Sequence, residues 1–341
     1  MSNHHLQSED IPGRMSAAVF RNGEVSLASI PTPVPTPEEA LLRVRMSGIC
    51  QTDLELLRGY QDFYGVPGHE FVAEVVSAPG QSDLEGSRVV ADINIGCGQC
   101  PYCLRREQNH CPNRSVLGIR GRQGAFAEYL AAPLSHLHPL PEKIPDRRAV
   151  FAEPLAAALR VTQQIHIRAD MHVAVLGDGK LGLLAAMGLR HFNPGVVLAG
   201  RHPDKLEIFN RLGGRTRKVD PEGTLEDGEE WMRDLDLVVE ATGNPQGLEQ
   251  ARRMCKPQGT VVLKTTSASS TCLSLSPITV NEQRILGSRC GDLDQAIHFL
   301  QQDLVQVDLL IEAVRPLSDI RDALHLASER GRAKILVNNR E

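Results

Sequence analysis

The chain has 341 residues, which is enough for about two domains that each bury a core of their own. Hydrophobic residues make up 41% and charged residues 23%, as in ordinary globular proteins, and no apolar run reaches the roughly 18–20 residues of a membrane span. The net charge of −5 arises from acidic and basic residues mixed along the chain, which excludes a basic stripe for nucleic acid or anionic lipid. These values favour a small-molecule partner.

The N-terminal segment lacks the charged and apolar regions of a secretory signal. It has no hydrophobic periodicity and almost nothing to bury, so we expect residues 1–14 to be a disordered extension. Without an export signal the thiols stay reduced, and the expected compartment is the cytosol.

Short β-type runs between Gly, Pro and Asn clusters predict a β-rich domain from Met15 to about Val150. The predicted strands are Ala17–Phe20, Ala40–Val44, Phe71–Val76 and Arg88–Ala91. An alternating-proline segment from Pro31 to Pro37 is typical of an extended connector between strands.

From about Phe151, apolar strands alternate with helical segments, which is the pattern of a parallel, doubly wound sheet. The predicted strands are His172–Leu176, Val196–Ala199, Leu235–Val239 and Val261–Leu263, and the helices between them are Leu181–His191, Lys205–Leu212 and Gln246–Cys255. The chain then predicts a strand from Ile285, helices at Asp292–Gln302 and Ser318–Arg330, and a closing strand, Ala333–Asn338. The predicted fold class is therefore α/β, with a β-rich domain beside a doubly wound one.

A glycine-rich turn, Gly177-Asp178-Gly179-Lys180-Leu181-Gly182, joins the first of these strands to an apolar helix. In that context Gly177 makes the tight turn, Gly179 lets the backbone approach a pyrophosphate, and Gly182 lets the helix pack on the sheet. Lys180 and Leu181 are candidate cofactor contacts, because they stand at the start of the predicted helix, whose N-terminus attracts an anion. The turn predicts a dinucleotide site, with a purely structural turn as the alternative.

The end of the second strand bears on which dinucleotide binds. This position usually carries an acid that binds the ribose 2′-hydroxyl, but here the chain reads Gly200-Arg201-His202, with Lys205 following. Positive charge at this place favours NADP, with its 2′-phosphate, over NAD. The alternative is that Arg201 and Lys205 are solvated surface charges.

Thr242 and Lys264 are further candidate cofactor contacts. They follow the third and fourth predicted strands, whose carboxyl ends face the cofactor in such sheets. Ordinary turn chemistry explains both residues equally well.

Four cysteines crowd into one short segment. Their spacing is C-x2-C-x2-C-x7-C, and they are Cys97, Cys100, Cys103 and Cys111. This spacing predicts a closed, tetrahedral zinc site of structural type with four thiolate ligands. An iron–sulfur cluster and a nucleic-acid-binding zinc ribbon remain as alternatives.

Three further segments complete a family pattern. They are Gly48-Ile49-Cys50-Gln51-Thr52-Asp53, Gly68-His69-Glu70 and Glu153-Pro154-Leu155. Together with the four cysteines and the glycine-rich turn, in this order, they make the sequence resemble the zinc-dependent alcohol and polyol dehydrogenases of the medium-chain dehydrogenase/reductase family. The resemblance covers nearly the whole chain after Met15.

The resemblance implies a domain arrangement and a second zinc. A GroES-like catalytic domain would comprise residues 15–152 with 288–341, and a Rossmann domain residues 153–287. A catalytic zinc would be held by Cys50, His69 and Glu153, with Glu70 nearby as a supporting group or alternate ligand. The chain would then bind two zinc ions, one catalytic and one structural.

The resemblance also implies hydride transfer between a nicotinamide cofactor and an alcohol, a polyol or the matching carbonyl compound. Its proton relay would begin at the Thr52 hydroxyl, and Glu55 stands where many members carry a relay histidine. The competing interpretation is that Thr52-x-x-Glu55 is a capping box opening a helix at Asp53–Leu57. Asp53 itself fits either a supporting role beside a ligand or an ordinary helix start.

Two other functions remain open at this point. One is a non-catalytic, nucleotide-sensing protein with one structural zinc, and the other is a zinc-independent enoyl or quinone reductase on the same fold. By analogy with the family we expect a homodimer or homotetramer.

Overall fold

The chain is divided into two units, of which the first is assembled from two separated stretches. The computed structural model describes residues 11–59, 63–220, 230–266, 272–329 and 331–340. Met1–Glu153 and Leu310–Glu341 form the first unit, and Pro154–Leu309 forms the second.

The elements follow in chain order. The first stretch contains strands and short helices: β1 (Arg14–Arg21), β2 (Glu24–Pro31), β3 (Glu39–Gly48), α1 (Gln51–Leu57), β4 (Glu70–Ser77), β5 (Arg88–Ala91), β6 (Asn94–Ile95), α2 (Pro101–Leu104), β7 (Ser115–Leu117), β8 (Gly121–Arg122), β9 (Tyr129–Pro133), β10 (Leu137–Pro139) and α3 (Asp146–Ala149). The next stretch alternates strands and helices: α4 (Ala152–Gln164), β11 (Val173–Leu176), α5 (Lys180–Leu189), β12 (Val197–Gly200), α6 (Pro203–Arg211), β13 (Arg215–Lys218), β14 (Leu235–Glu240), α7 (Gly247–Met254), β15 (Cys255–Leu263), α8 (Leu275–Val280), β16 (Arg284–Gly287) and α9 (Leu293–Gln301). The chain closes with β17 (Ile311–Pro316), α10 (Ile320–Ser328) and β18 (Lys334–Asn338).

The main sheet of the first unit has the order β10-β5-β4-β3-β18-β17, and β9 also pairs with β3. Successive residues of a strand point to opposite faces of the sheet. Leu41 of β3 accordingly packs in one buried apolar cluster, whereas its neighbours Ala40 and Leu42 pack in another. This unit is the predicted β-rich, GroES-like domain, and strands from both ends of the chain complete its sheet.

The sheet of the second unit is parallel throughout, with the order β13-β12-β11-β14-β15-β16. Its central strands are buried on both faces and consist of apolar residues, as expected when helices cover a parallel sheet. The α/β class and the doubly wound sheet are therefore confirmed. Helix α6 begins two residues before the predicted Lys205 because Pro203 occupies its first turn, where a missing N–H costs nothing.

The second unit extends beyond residue 287, where the sequence placed its end. Gln295 of α9 donates from Nε2 to the Thr162 hydroxyl at 3.2 Å and accepts from Gln163 at 2.8 Å. The Phe299 ring stacks on Phe192 with their centroids 6.2 Å apart. These contacts tie α9 to the second unit, which ends at Leu309.

The start of the chain differs from the expected disordered extension. Residues 1–10 lie outside the described residues. Ile11 packs against the buried cluster of the first unit, Thr32 bonds to the carbonyls of Pro12 and Gly13, and β1 begins at Arg14. Residues 11–14 are therefore ordered by backbone pairing and by one apolar anchor. Within the described residues, no helix has the length and apolar character to cross a bilayer.

Candidate metal and cofactor sites

The four cysteines meet in a loop between β6 and β7. Their sulfur atoms all lie within 4.8 Å of one another, and the Sγ atoms of Cys100 and Cys103 are 3.5 Å apart. A Cβ on Gly96 would lie 2.5 Å from the Cys103 sulfur, so the glycine leaves room for the cluster. Four converging thiols match the donor set of a closed zinc site.

Backbone amides point at these sulfurs. The Cys97 amide donates to the Cys111 sulfur at 3.4 Å. Hydrogen bonds from the amides of Gln99 and Cys100 lower the pKa of the Cys97 thiol to about 6, whereas desolvation raises the pKa of Cys103 to about 11. A metal binds thiolates, so loading this site at neutral pH releases protons, mainly from the thiols with the higher pKa.

A second group brings together Cys50, His69 and Glu70. One ligand atom from each lies within 4.8 Å of the others. Cys50 stands between the end of β3 and the start of α1, and His69 directly precedes β4. Because β3 and β4 pair with Gly48 opposite Glu70, the ends of the two strands carry these side chains to one place. Thiol, imidazole and carboxylate are zinc ligands, and the residues fit that metal.

Asp53 supports this group and starts α1 at the same time. Its Oδ2 accepts the Cys50 amide at 2.8 Å, and its Oδ1 lies 3.4 Å from Nδ1 of His69. Burial lowers the pKa of His69, but the Asp53 carboxylate and the Cys50 sulfur outweigh it and raise the pKa well above its usual value. Asp53 therefore closes the start of α1, and its second carboxylate oxygen lies beside the ring of a candidate ligand without a hydrogen bond to it.

Glu70 has a partner that the sequence did not indicate. Lys334 of β18 bonds to Oε2 of Glu70 and to the Ile49 carbonyl, and the side chains of Lys334 and Glu70 are almost completely buried, at 3% and 1% exposure. A Cβ on Gly48 would lie 2.7 Å from the same Oε2, so the glycine makes room for the pair. Burial lowers the pKa of Lys334, but the charge of Glu70 outweighs it and raises the pKa, so the ammonium group is charged.

Glu153, the carboxylate expected as third ligand, is not in this group. It is half-buried in the first turn of α4, where a carboxylate also suits the helix dipole. The structure instead brings Glu70 to Cys50 and His69, because the pairing of β3 with β4 fixes its place.

The predicted capping box of Thr52 and Glu55 is wrong. The N-cap of α1 is Cys50, and the box is closed by Asp53, which shifts the helix start to Gln51. Glu55 accepts from Gln51 and Arg58, both at 2.8 Å, on the helix surface and away from the cysteine–histidine group. The Thr52 hydroxyl lies 3.8 Å from the Cys50 sulfur and so remains beside the candidate metal site.

In the second unit, the glycine-rich turn has the geometry that the sequence predicts. Gly177 has φ +117°, and a Cβ there would lie 2.5 Å from the Ala241 carbonyl. A Cβ on Gly182 would lie 1.9 Å from the Gly177 carbonyl, whereas one on Gly179 would meet nothing within 4 Å. The first and third glycines therefore serve packing, and the second faces open space at the N-terminus of α5, above Lys180 and Leu181.

A cleft of about 150 Å³ opens at this turn. Gly200, Arg201, His202 and Lys205 line it, as does Thr242. Within the described part of the chain, the Arg201 and Lys205 side chains form no ion pair. Two unneutralised cations at the end of the second strand suit a phosphate.

The buried carboxylate of Glu240, at the end of β14, binds the residues that follow β14 and β15. Oε1 of Glu240 accepts the amide and hydroxyl of Thr242 at 2.8 and 2.6 Å and the Thr265 hydroxyl at 2.9 Å. Thr242 thus lines the cleft but directs its hydroxyl hydrogen to Glu240. The sequence analysis did not single out Glu240, although an acid at the end of an apolar strand is a recognisable signal.

Lys264 is buried at 6% exposure rather than facing the cleft. Its Nζ donates to the Ala157 carbonyl at 2.5 Å, and to the Ser288 hydroxyl and the Arg289 carbonyl at 3.2 Å. The side chain therefore ties the end of β15 to α4 and to the segment after β16.

Comparison with known proteins extends these observations. The family model of the alcohol dehydrogenase GroES-like domain matches residues 36–142, and that of the zinc-binding dehydrogenases matches residues 181–303. A curated relative, the erythritol/L-threitol dehydrogenase of Mycolicibacterium smegmatis, is 28% identical over 94% of this chain and 96% of its own length.

Solved structures agree in fold over nearly the full chain. A zinc-binding dehydrogenase from Sinorhizobium meliloti 1021 bound to NADP is 29% identical, with a TM-score of 0.86 over 96% of this chain and 100% of that one. An alcohol dehydrogenase from Escherichia coli CFT073 in complex with NADH is 26% identical, with a TM-score of 0.88 over the same shares. The neighbours therefore include one with each cofactor.

Proposed function

The chain belongs to the medium-chain dehydrogenase/reductase family of zinc-dependent alcohol dehydrogenases, and we propose that it transfers a hydride between a nicotinamide cofactor and a polyol. The matching carbonyl compound would be the substrate in the reverse direction. The erythritol/L-threitol dehydrogenase among its relatives supports the choice of polyols over simple alcohols.

The observation that carries this proposal is the convergence of Cys50 and His69 with a carboxylate, with ligand atoms within 4.8 Å. Zinc bound there supplies Lewis-acid polarisation of the substrate oxygen. Glu70 is the carboxylate inside the group, and Glu153 is the one that the family resemblance implies. The zinc content of E70Q and E153Q decides between them.

Thr52 is the residue that we propose to move the substrate proton. Its Oγ1 is 3.8 Å from the Cys50 sulfur and half-buried, so a substrate oxygen beside the metal comes within its reach. Glu55 is bound to Gln51 and Arg58, and it is not part of our proposed relay.

Reduced-nicotinamide absorbance with a panel of polyols, primary alcohols and aldehydes, offered with each cofactor, tests the activity. We expect polyol oxidation by protein that contains two zinc ions per chain. One zinc per chain and no turnover would favour the non-catalytic, nucleotide-sensing protein. Turnover of enones by zinc-free protein would favour the enoyl or quinone reductase.

For the cofactor we propose NADP in preference to NAD. No acid stands at the end of β12, and Arg201 and Lys205 line the cleft without ion-pair partners among the described residues. A guanidinium binds a 2′-phosphate through two parallel, charge-assisted hydrogen bonds.

Arg201→Ala is therefore expected to weaken NADPH binding by about 10- to 100-fold and to leave NADH binding nearly unchanged. Titration calorimetry of wild type and variant gives the four Kd values. Arg211→Ala is the matched control, because Arg211 ends helix α6, which begins two residues after Arg201, but it pairs with Glu207 outside the cleft. Tighter NADH than NADPH binding in the wild type refutes the NADP preference.

We also propose that the protein is a homodimer or homotetramer whose copies meet at the edge of the parallel sheet at β16. The opposite edge, β13, carries Arg215, Arg217 and Lys218, and such charge opposes strand pairing. Leu275 and Val280 of α8, the helix that precedes β16 in the chain, are 71% and 75% exposed. Sedimentation of the protein reports its mass in solution.

Both proposed metal sites need reduced thiols, since only a thiolate binds zinc. This requirement fits the cytosol, the compartment that we propose.

A further inference from the structure

We infer that Asp178 sets the cofactor preference. Its carboxylate fixes the backbone at the end of β12, where the usual ribose-binding acid is absent. This inference rests on the NADP preference proposed above. It makes Asp178 a positioning residue, which acts on the cofactor through Arg201.

Asp178 fills the space that a side chain at the strand end would need. It is the second residue of the glycine-rich turn and is only 6% exposed. A Cβ on Gly200 would lie 2.5 Å from both Cβ and Oδ2 of Asp178. No acid can stand at position 200 while Asp178 keeps this place, so the glycine and the aspartate form a matched pair.

The Asp178 carboxylate accepts hydrogen bonds from the residues that follow β12. Its Oδ2 accepts the amides of Arg201 at 2.7 Å and of His202 at 2.6 Å, and its Oδ1 lies 2.9 Å from Nδ1 of the His202 ring. Burial raises the pKa of Asp178, but the hydrogen bonds from His202 and Arg201 outweigh it and lower the pKa, so the group is an anion. With both lone pairs of Oδ2 engaged and Oδ1 facing an imidazole, little acceptor capacity is left for a ribose hydroxyl.

These bonds fix the path of the chain into α6. His202 is the N-cap of that helix, and its own side chain does not cap it. Asp178 supplies an acceptor from outside the helix and binds the two amides at the turn. Arg201 donates one of these two amides, so its backbone takes its position directly from Asp178, whereas Lys205 lies further along the helix and makes no contact with the carboxylate.

The charge balance of the cleft follows from the same arrangement. Asp178 is negatively charged, but its carboxylate is bound by two backbone amides and faces the His202 imidazole instead of pairing with Arg201 or Lys205. Asp220 is the other carboxylate that lines the cleft, and it is exposed to water. Arg201 and Lys205 are therefore left to act on a 2′-phosphate.

Removing Asp178 takes away a negative charge, which should favour NADPH, and the hydrogen bonds that fix the Arg201 backbone, which should disfavour it. Two variants separate these effects. Asp178→Asn keeps an oxygen that accepts the two amides and loses only the charge, so the preference for NADPH should persist or increase. Asp178→Ala loses the clamp, and we expect the ratio of the two Kd values to fall by about tenfold.

A double-mutant cycle with Arg201→Ala tells positioning from general damage. If Asp178 acts through Arg201, Asp178→Ala has almost no effect on the cofactor ratio once Arg201 is alanine. An unchanged ratio in Asp178→Ala, or an equal loss in both backgrounds, overturns the inference. A wild type that prefers NADH instead overturns the proposed preference before any variant is compared.

The steric half of the inference is tested without reference to that preference. Gly200→Asp alone should lower the melting temperature and weaken both cofactors, because its Cβ collides with the side chain of Asp178. The double variant D178G/G200D should recover stability and bind NADH more tightly than NADPH, since glycine at position 178 also removes the Cβ and the acid then stands free at the strand end. The inference fails if Gly200→Asp is as stable as the wild type, or if the double variant recovers nothing. Circular dichroism gives the melting temperatures, and the same calorimetry gives the Kd values.

Discussion

His69→Ala should abolish turnover of every substrate while the four-cysteine site stays loaded with zinc. His69 is the buried imidazole of the cysteine–histidine group, and no neighbouring imidazole replaces it among the described residues. Loss of a ligand should cost more than the roughly 10- to 100-fold typical of groups that only support one. Metal analysis of the variant should give one zinc per chain instead of two.

The reciprocal variant, Cys103→Ser, completes the test. It should also lose one zinc, but mainly at the expense of thermal stability, because a closed thiolate site contributes folding free energy. Cys272→Ser is its control, since Cys272 is exposed and lies outside the four-cysteine cluster. Substantial turnover by His69→Ala, or full zinc content and stability in Cys103→Ser, contradicts the two-site assignment.

In zinc-free protein, Lys334→Met should cost about 3–5 kcal/mol of stability, because it leaves the buried Glu70 carboxylate without any cation. Lys334 and Glu70 are exposed by only 3% and 1%, so water cannot replace the lost partner. Urea denaturation of the full chain measures the loss.

Replacing both members of the pair separates the charge from the packing. The double variant E70L/K334M should recover most of the stability, since two apolar side chains can fill a buried ion-pair site. Arg332→Met serves as the surface control, because its ion pairs with Glu312 and Glu329 are partly exposed, and little change is expected. If Lys334→Met is as stable as the wild type, the prediction fails, and Glu70 is then neutral in the absence of Lys334.

The parts of the site that the sequence predicts are those with local causes. Gly177 has a positive φ, and Gly182 meets the Gly177 carbonyl within the same turn, so the spacing of these glycines carries the information. The four cysteines lie on one short loop, and their spacing alone brings the sulfurs together.

The parts that sequence reasoning missed depend on distant pairing. Lys334 reaches Glu70 across 264 positions because β18 and β4 flank β3 in the sheet, and nothing in either segment records that neighbour. Asp178 looked like the variable residue of a glycine motif, yet it meets His202, 24 positions on, because the two strand ends lie side by side. Glu240 is different, because its place directly after the apolar residues of β14 is visible in the sequence, whereas its bonds to Thr242 and Thr265 are not.

The two-part construction of the first unit sets an order of events during synthesis. Strand β18, which lies between β3 and β17, is made only after the whole of Pro154–Leu309 has been synthesised. Lys334 follows Glu70 by 264 positions, so at about 5–20 residues per second Glu70 waits roughly 13–53 s for this neighbour. The second unit, Pro154–Leu309, is synthesised without interruption and can finish folding while the first unit still lacks its C-terminal strands. Until β18 emerges, the nascent chain therefore exposes the Met46–Gly48 end of β3 and an uncompensated carboxylate beside Cys50 and His69, and chaperones would be needed most in this interval.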